Sequence, residues 1–195
     1  MLIAALLIAA PVSVELEFAG GVGWPSADAP QNGPTAPALM ARAGADFLEH
    51  FTLSATLLGI PGPETALSFC GSPCRGNASF KAISGFAMLR VHTAGDLQLF
   101  VEGGIGPGHL ISVSADDLFE NPAQHGRGGP AYLAGGGARW FVARQAAIGL
   151  EVAWTAWTNV SRPAYTYGIS DIPARSDLTV SALMLLLSLG WSAGR

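Results

Sequence analysis

Lysine is almost missing from this chain. Lys81 stands alone among 195 residues, and charged side chains make up only 12% of the sequence, against about a quarter in ordinary soluble domains. With a net charge of −4 there is no basic surface to neutralise a phosphate backbone, which excludes a nucleic-acid partner. Also missing is any uninterrupted apolar run of the roughly eighteen residues that a membrane-crossing helix requires. The longest candidate, 178–191, is broken by Thr179, Ser181 and Ser188 and contains Gly190. His50, His92, His109 and His125 are scattered, and no His or Cys pair has metal-ligand spacing. No Lys-Ser or Lys-Thr follows the glycines around Gly20 and Gly103, so a phosphate-binding loop is excluded as well. No cofactor and no metal are expected.

What the chain has instead is alternation, at a mean hydropathy of +0.38. From Asp96 onward, Leu97, Leu99, Val101, Gly103 and Ile105 fall on one side, and Gln98, Phe100, Glu102, Gly104 and Gly106 on the other. A period of two is the signature of a strand with two different faces, and an apolar face outside charged positions suits a strand between lipid and a polar interior. Such strands are predicted at 14–24, 38–47, 51–59, 81–92, 97–105, 131–142, 147–158 and 178–191. The connections 48–50, 93–96 and 143–146 are tight, whereas 25–37, 60–80, 106–130 and 159–177 are long and rich in Gly, Pro, Asn and Ser. Short turns on one side and long loops on the other describe a closed, eight-stranded, antiparallel up-and-down transmembrane β-barrel, with turns and both termini periplasmic and loops outside.

The two faces carry different chemistry. Charges fall on the inward parity: Glu15 and Glu17, Arg42 and Asp46, Arg90 and His92, Glu102, Arg139 and Glu151. A three-residue turn at Arg144 is predicted to set Arg139 opposite Glu151 as an ion pair, with Arg90 and Glu102 as diagonal neighbours. The same positions suit an ion-paired filling of a lumen that eight strands make only wide enough for side chains. Aromatic residues mark the two membrane interfaces: Trp24, Tyr132 and Trp154 outside, and Phe47, Phe51, Trp140 and Trp191 on the periplasmic side. Phe86, Phe100, Phe141 and Trp157 fall on the inward face. The glycine clusters 103–106 and 135–137 are places where a bulge could reverse parity.

Strand number, alternating loop lengths, charged lumen and aromatic girdles together resemble the eight-stranded bacterial outer-membrane barrels, the group containing the OmpA membrane domain and the OmpX-like proteins. The resemblance covers 14–191. It implies an integral outer-membrane protein with outer-membrane lipid around it, the barrel-assembly machinery as a partner during biogenesis, and an external ligand of unknown nature for its loops. It leaves open envelope anchoring, surface contact and, in a few members, lipid-modifying catalysis. His109, Ser112, Ser114 and Asp116 are the residues a catalytic site would draw on, but their spacing matches no known motif and an enzyme is not expected. The alternatives are a narrow pore for ions or small solutes and a soluble lipocalin-like barrel, the latter requiring the reverse placement of charges. Residues 1–13 read as an export signal with an apolar core at 2–10, and 192–195 as a short periplasmic tail. Cys70 and Cys74, separated by Gly71, Ser72 and Pro73, are placed to form a disulfide after export.

Overall fold

The alternating segments form strands that close on themselves. The computed structural model describes residues 13–27, 35–47, 50–65, 78–115, 127–162, 165–167, 170–172 and 175–194. The described strands are β1 (Ser13–Ala27), β2 (Ala36–Phe47), β3 (Phe51–Thr65), β4 (Ala78–His92), β5 (Leu97–Ala115), β6 (Arg127–Phe141), β7 (Ala146–Arg162), β8 (Tyr165–Tyr167), β9 (Ser170–Ile172) and β10 (Arg175–Ala193). β8 and β9 pair only with each other, inside the connection between β7 and β10. The other eight make a closed antiparallel barrel in which sequence neighbours are spatial neighbours and β10 pairs with β1.

Closure is staggered. Stepping from strand to strand, Glu15 faces Gly44, then Ser54, Met88, Gly104, Leu133, Thr155 and Ala182, and the path returns to β1 at Pro25, ten residues from its start. For eight strands this stagger corresponds to a tilt of about 40° and an interior that side chains fill. A closed ladder is the only sheet that hydrocarbon tolerates, because an open edge would leave backbone groups without partners.

The exterior is built for that surrounding. Leu187 and Leu189 are 69% and 68% exposed, and Phe18, Leu39, Leu53, Leu99, Val101 and Leu150 are exposed around the circumference. Among the described residues no charged side chain lies on the outward parity between the two aromatic levels. Trp24 and Trp154 stand on either side of Leu183, and Tyr132 faces Ile105. At the other end Trp140 faces Leu97 and Ile148, Trp191 faces Leu16, and Phe47 stacks on Phe51 at 5.7 Å. From Leu183 to Trp191 along β10 the tilted strand rises about 20 Å, an apolar band of membrane thickness.

Parity survives both glycine clusters, since β5 and β6 pair without a register shift from Leu97 opposite Trp140 to Pro107 opposite Pro130. Several strands run further outward than the alternation suggested: β5 reaches Ala115 and β6 begins at Arg127. The final strand also continues through Ala193, opposite Val14, so 192 and 193 belong to the wall and not to a free tail. Residues 1–12, Cys70 and Cys74 lie outside the described residues.

Two consequences can be measured by urea unfolding in lipid vesicles. Val101→Arg should cost about 2–4 kcal/mol by placing an ion in hydrocarbon, whereas Gln98→Glu, across from Arg139 in the lumen, should be tolerated. Gly137→Ala should cost about 1–3 kcal/mol, because its methyl would meet the Leu150 carbonyl oxygen at 2.1 Å and that oxygen belongs to the wall itself.

Candidate functional site

The lumen is divided into two zones along its length. The half nearer the tight turns holds ionic side chains, and its centre is a closed ring of alternating sign. Arg42 on β2 donates to Glu17 on β1 (2.8 Å) and to Glu102 on β5; Arg90 on β4 donates to the same two carboxylates, at 3.0 Å to Glu17 and 2.8 Å to Glu102. Arg42 also donates to Thr56 on β3 through Nε, at 3.3 Å. None of the four ring members is more than 7% exposed. Charge-assisted bonds to carboxylates are strong where water is excluded, and here each guanidinium reaches two carboxylates on different strands. The ring therefore ties together strands that are not neighbours in the wall.

Two further carboxylates lie near it and are held unequally. Arg139 on β6 donates through one Nη to both oxygens of Glu15 on β1, each at 2.7 Å. Glu151 on β7 lies 3.5 Å from Arg42 as an ion pair, but neither of its oxygens accepts a hydrogen bond among the described residues. Nearer the mouth on the side of the tight turns, Asp46 accepts from Ser13 and Thr52 and lies 3.9 Å from His92. The inward aromatics serve the same groups. The Arg90 guanidinium sits 4.1 Å from the Phe100 ring centre, and that of Arg139 4.7 Å from Phe141.

The anticipated Arg139–Glu151 pair is a misreading. Val142 and Ala146 close the turn around Arg144, so Arg139 stands opposite Gly149 and Glu151 opposite Gly137. Arg139 is thus free to reach across the lumen to β1. Arg90 and Glu102 are directly opposite rather than diagonal. The error is one of turn counting, and it changes partners without changing the face.

The other half of the lumen, toward the long connections, is not polar. Met40, Leu58, Ile60, Phe86, Met88, Leu133, Trp157, Val180, Met184 and Leu186 pack there with seven alanines, all buried. Two of its hydroxyls are satisfied: Ser84 accepts from the Trp157 indole at 2.7 Å, and Thr155 donates to the Tyr132 carbonyl at 3.0 Å. The sequence carried a sign of this zone in Met184, Leu185, Leu186 and Leu187 and in Leu57 and Leu58, where alternation gives way to continuous apolar residues. A strand apolar on both faces is one buried on both. The side chains of His109, Ser112, Ser114 and Asp116 lie outside the described residues.

With this geometry the chain is similar to a set of solved outer-membrane barrels. It matches Neisserial surface protein A (NspA) with a TM-score of 0.58 and 11% identity over 93% of this chain and 96% of that one. It matches Ail, the attachment invasion locus protein of Yersinia pestis, with a TM-score of 0.55 and 12% identity over 93% and 98%. OprG of Pseudomonas aeruginosa follows at 0.53 and 12% identity over 94% and 96%. No family model and no curated protein matches the sequence. The fold is that of the eight-stranded outer-membrane β-barrels.

Removing one member of a buried ionic set strands the other. Arg139→Met should destabilise the barrel by about 3–5 kcal/mol, and Arg139→Met combined with Glu15→Met should recover a large part of that loss. Urea midpoints of both variants in the same vesicles give the comparison.

Proposed function

We propose that the protein is an integral barrel of the bacterial outer membrane, non-enzymatic, whose plugged interior makes it an anchor and whose external connections make contact with the surroundings. The observation that carries this reading is the ring of Arg42, Glu17, Arg90 and Glu102, which spans a lumen of eight-strand width with buried, mutually bonded side chains. A barrel filled in this way is rigid and has no open axial path, so variable chemistry belongs on the long connections outside. NspA is named as a surface protein and Ail as an attachment and invasion protein, which agrees with a surface role for barrels of this size. Outer-membrane lipid and, during insertion, the barrel-assembly machinery are the partners that follow, with both termini in the periplasm.

A narrow pore is the second reading. It draws on the buried polar atoms beside the ring that make no hydrogen bond among the described residues: both Glu151 oxygens, Arg90 Nη1, and Nε and Nη2 of Arg139. Polar atoms lining a path favour hydrated ions where side chains can part.

One pair of measurements separates these readings. The refolded chain in a planar bilayer should give no persistent conductance, while intact cells carrying single cysteines should label at 66–77 and 116–126 with an impermeant maleimide but not at Arg144→Cys. A stable, ion-selective conductance would establish the pore, and labelling at position 144 alone would invert the topology.

A further inference from the structure

Charge in the buried lumen does not balance. Among the described residues, three guanidiniums (Arg42, Arg90, Arg139) and four carboxyls (Glu15, Glu17, Glu102, Glu151) are enclosed there, none more than 7% exposed. His92 is buried as well, but it lies 3.9 Å from Asp46 at the mouth beside the tight turns, so that pair stands apart from the seven. With every carboxyl ionised, the set would hold one negative charge in excess, away from water and without a cation to meet it. An uncompensated buried ion is far more costly than a buried polar group that stays neutral.

Hydrogen bonding shows which carboxyl is in excess. Glu15 accepts at both oxygens from Arg139, Glu102 accepts at one from Arg42 and at the other from Arg90, and Glu17 accepts from Arg42 and Arg90 together. Glu151 is 1% exposed and accepts at neither oxygen among the described residues. Its neighbours in the wall explain this, since it stands opposite Gly137 on β6 and Leu186 on β10, and neither brings a side-chain donor. A Cβ on Gly135 would lie 3.3 Å from Glu151 Oε1, so glycine makes the room in which the carboxyl sits. Facing it across the ionic zone are Glu17 on β1, Arg42 on β2, Arg90 on β4, Glu102 on β5 and Arg139 on β6, while β3 and β10 bring the hydroxyls of Thr56 and Ser188 and no charge. The Nη2 of Arg42 comes to 3.5 Å, but that nitrogen already donates to Glu102. Arg139 is held nearer the turns: a Cβ on Gly190 would lie 3.0 Å from its Nη2, and Gly190 is four residues beyond Leu186 on β10.

We propose that Glu151 is a proton-binding site of the lumen: it carries its acid proton in the folded barrel, which makes the seven buried groups neutral overall and leaves Arg42 Nη2 to Glu102. The proton belongs on Glu151 because each of the other three carboxylates would lose a charge-assisted bond by taking it. A metal ion suits the place less well. It needs several converging oxygens, no three acidic or histidine side chains supply them among the described residues, and it would stand beside the Arg42 guanidinium. A proton needs one oxygen and no added room. Ionised, Glu151 would be a second claimant on the nitrogen through which Arg42 joins β2 to β5 across the lumen, so the bound proton keeps the ring closed. Ala153, the next inward residue of β7 away from the turns, already belongs to the apolar zone, and the proton therefore exchanges with water on the side of the tight turns. This inference goes beyond the anchoring reading and does not depend on what the external connections bind.

The test is infrared spectroscopy of the full chain refolded into bilayers of ether-linked phosphatidylcholine, whose lack of ester carbonyls leaves the stretch of a protonated carboxyl clear. At neutral pH exposed carboxyls are ionised and silent there, so the unaltered chain should show one acid band and Glu151→Gln should abolish it. Glu102→Gln should abolish it too, because three carboxylates then meet three guanidiniums and Glu151 takes the freed Arg42 nitrogen in its ionised form. In urea unfolding Glu151→Gln, a neutral amide in place of a neutral acid, should leave the folding constant within about twofold, whereas Glu17→Gln should lower it roughly a hundredfold by stranding two arginines. The proposal is overturned by the absence of an acid band in the unaltered chain, by a band that survives in either Glu151→Gln or Glu102→Gln, or by equal losses of stability in Glu151→Gln and Glu17→Gln. Where a variant fails to refold, glutamate isotopically labelled at its side-chain carboxyl carbon is incorporated into the unaltered chain: the band should shift, and an unshifted band overturns the site. Conductance in a planar bilayer reports the plug by itself, so a failure of the anchoring reading is told apart from a misplaced proton.

Discussion

Hydrocarbon offers no partner to a backbone N–H or C=O, and the rest of this structure follows from that constraint. Eight strands satisfy it by closing β10 onto β1 with a stagger of ten residues. Strand number and stagger set the tilt, and together they set the width of the lumen. Once that width equals about one side chain from each wall, inward residues must meet across it. Their chemistry becomes a packing problem with few solutions.

The protein solves it twice along one axis. In the half nearer the tight turns, two arginines and two glutamates satisfy each other in a ring, and Arg139 with Glu15 forms a separate pair. Burial of single charges would be costly, but alternation of sign around the ring leaves each one facing its opposite. In the half toward the long connections the wall encloses methionine, leucine, alanine and a tryptophan whose indole is bonded to Ser84. These zones differ in how they hold their shape. The ionic ring depends on fixed directions and the apolar zone on volume alone, which makes the latter the more adaptable of the two.

The outward face was legible from residue order, because lipid acts on every second side chain and leaves a period that a list of residues preserves. Leu97, Leu99, Val101 and Ile105 could be assigned outward without knowing any partner strand, as could the girdle residues Trp24, Tyr132, Trp140, Trp154 and Trp191. Inward charges were found by the same parity. Their partners were not, since a two-residue error in the turn at Arg144 moved Glu151 away from Arg139. Nor was the split of the lumen into two zones, because parity reports which face a residue occupies and not its height along a tilted axis.

By itself, then, the sequence determined the strand period, the apolar exterior, the interface aromatics and the set of charges that must hide from lipid, each of which depends on neighbours within one strand. Only the tertiary structure decided that Arg42 and Arg90 share Glu17 and Glu102, that Arg139 reaches Glu15 from the far side, and that Pro107 meets Pro130. Those pairings depend on register and stagger summed over all eight strands. That sum is a property of closure, which no single segment of the chain contains.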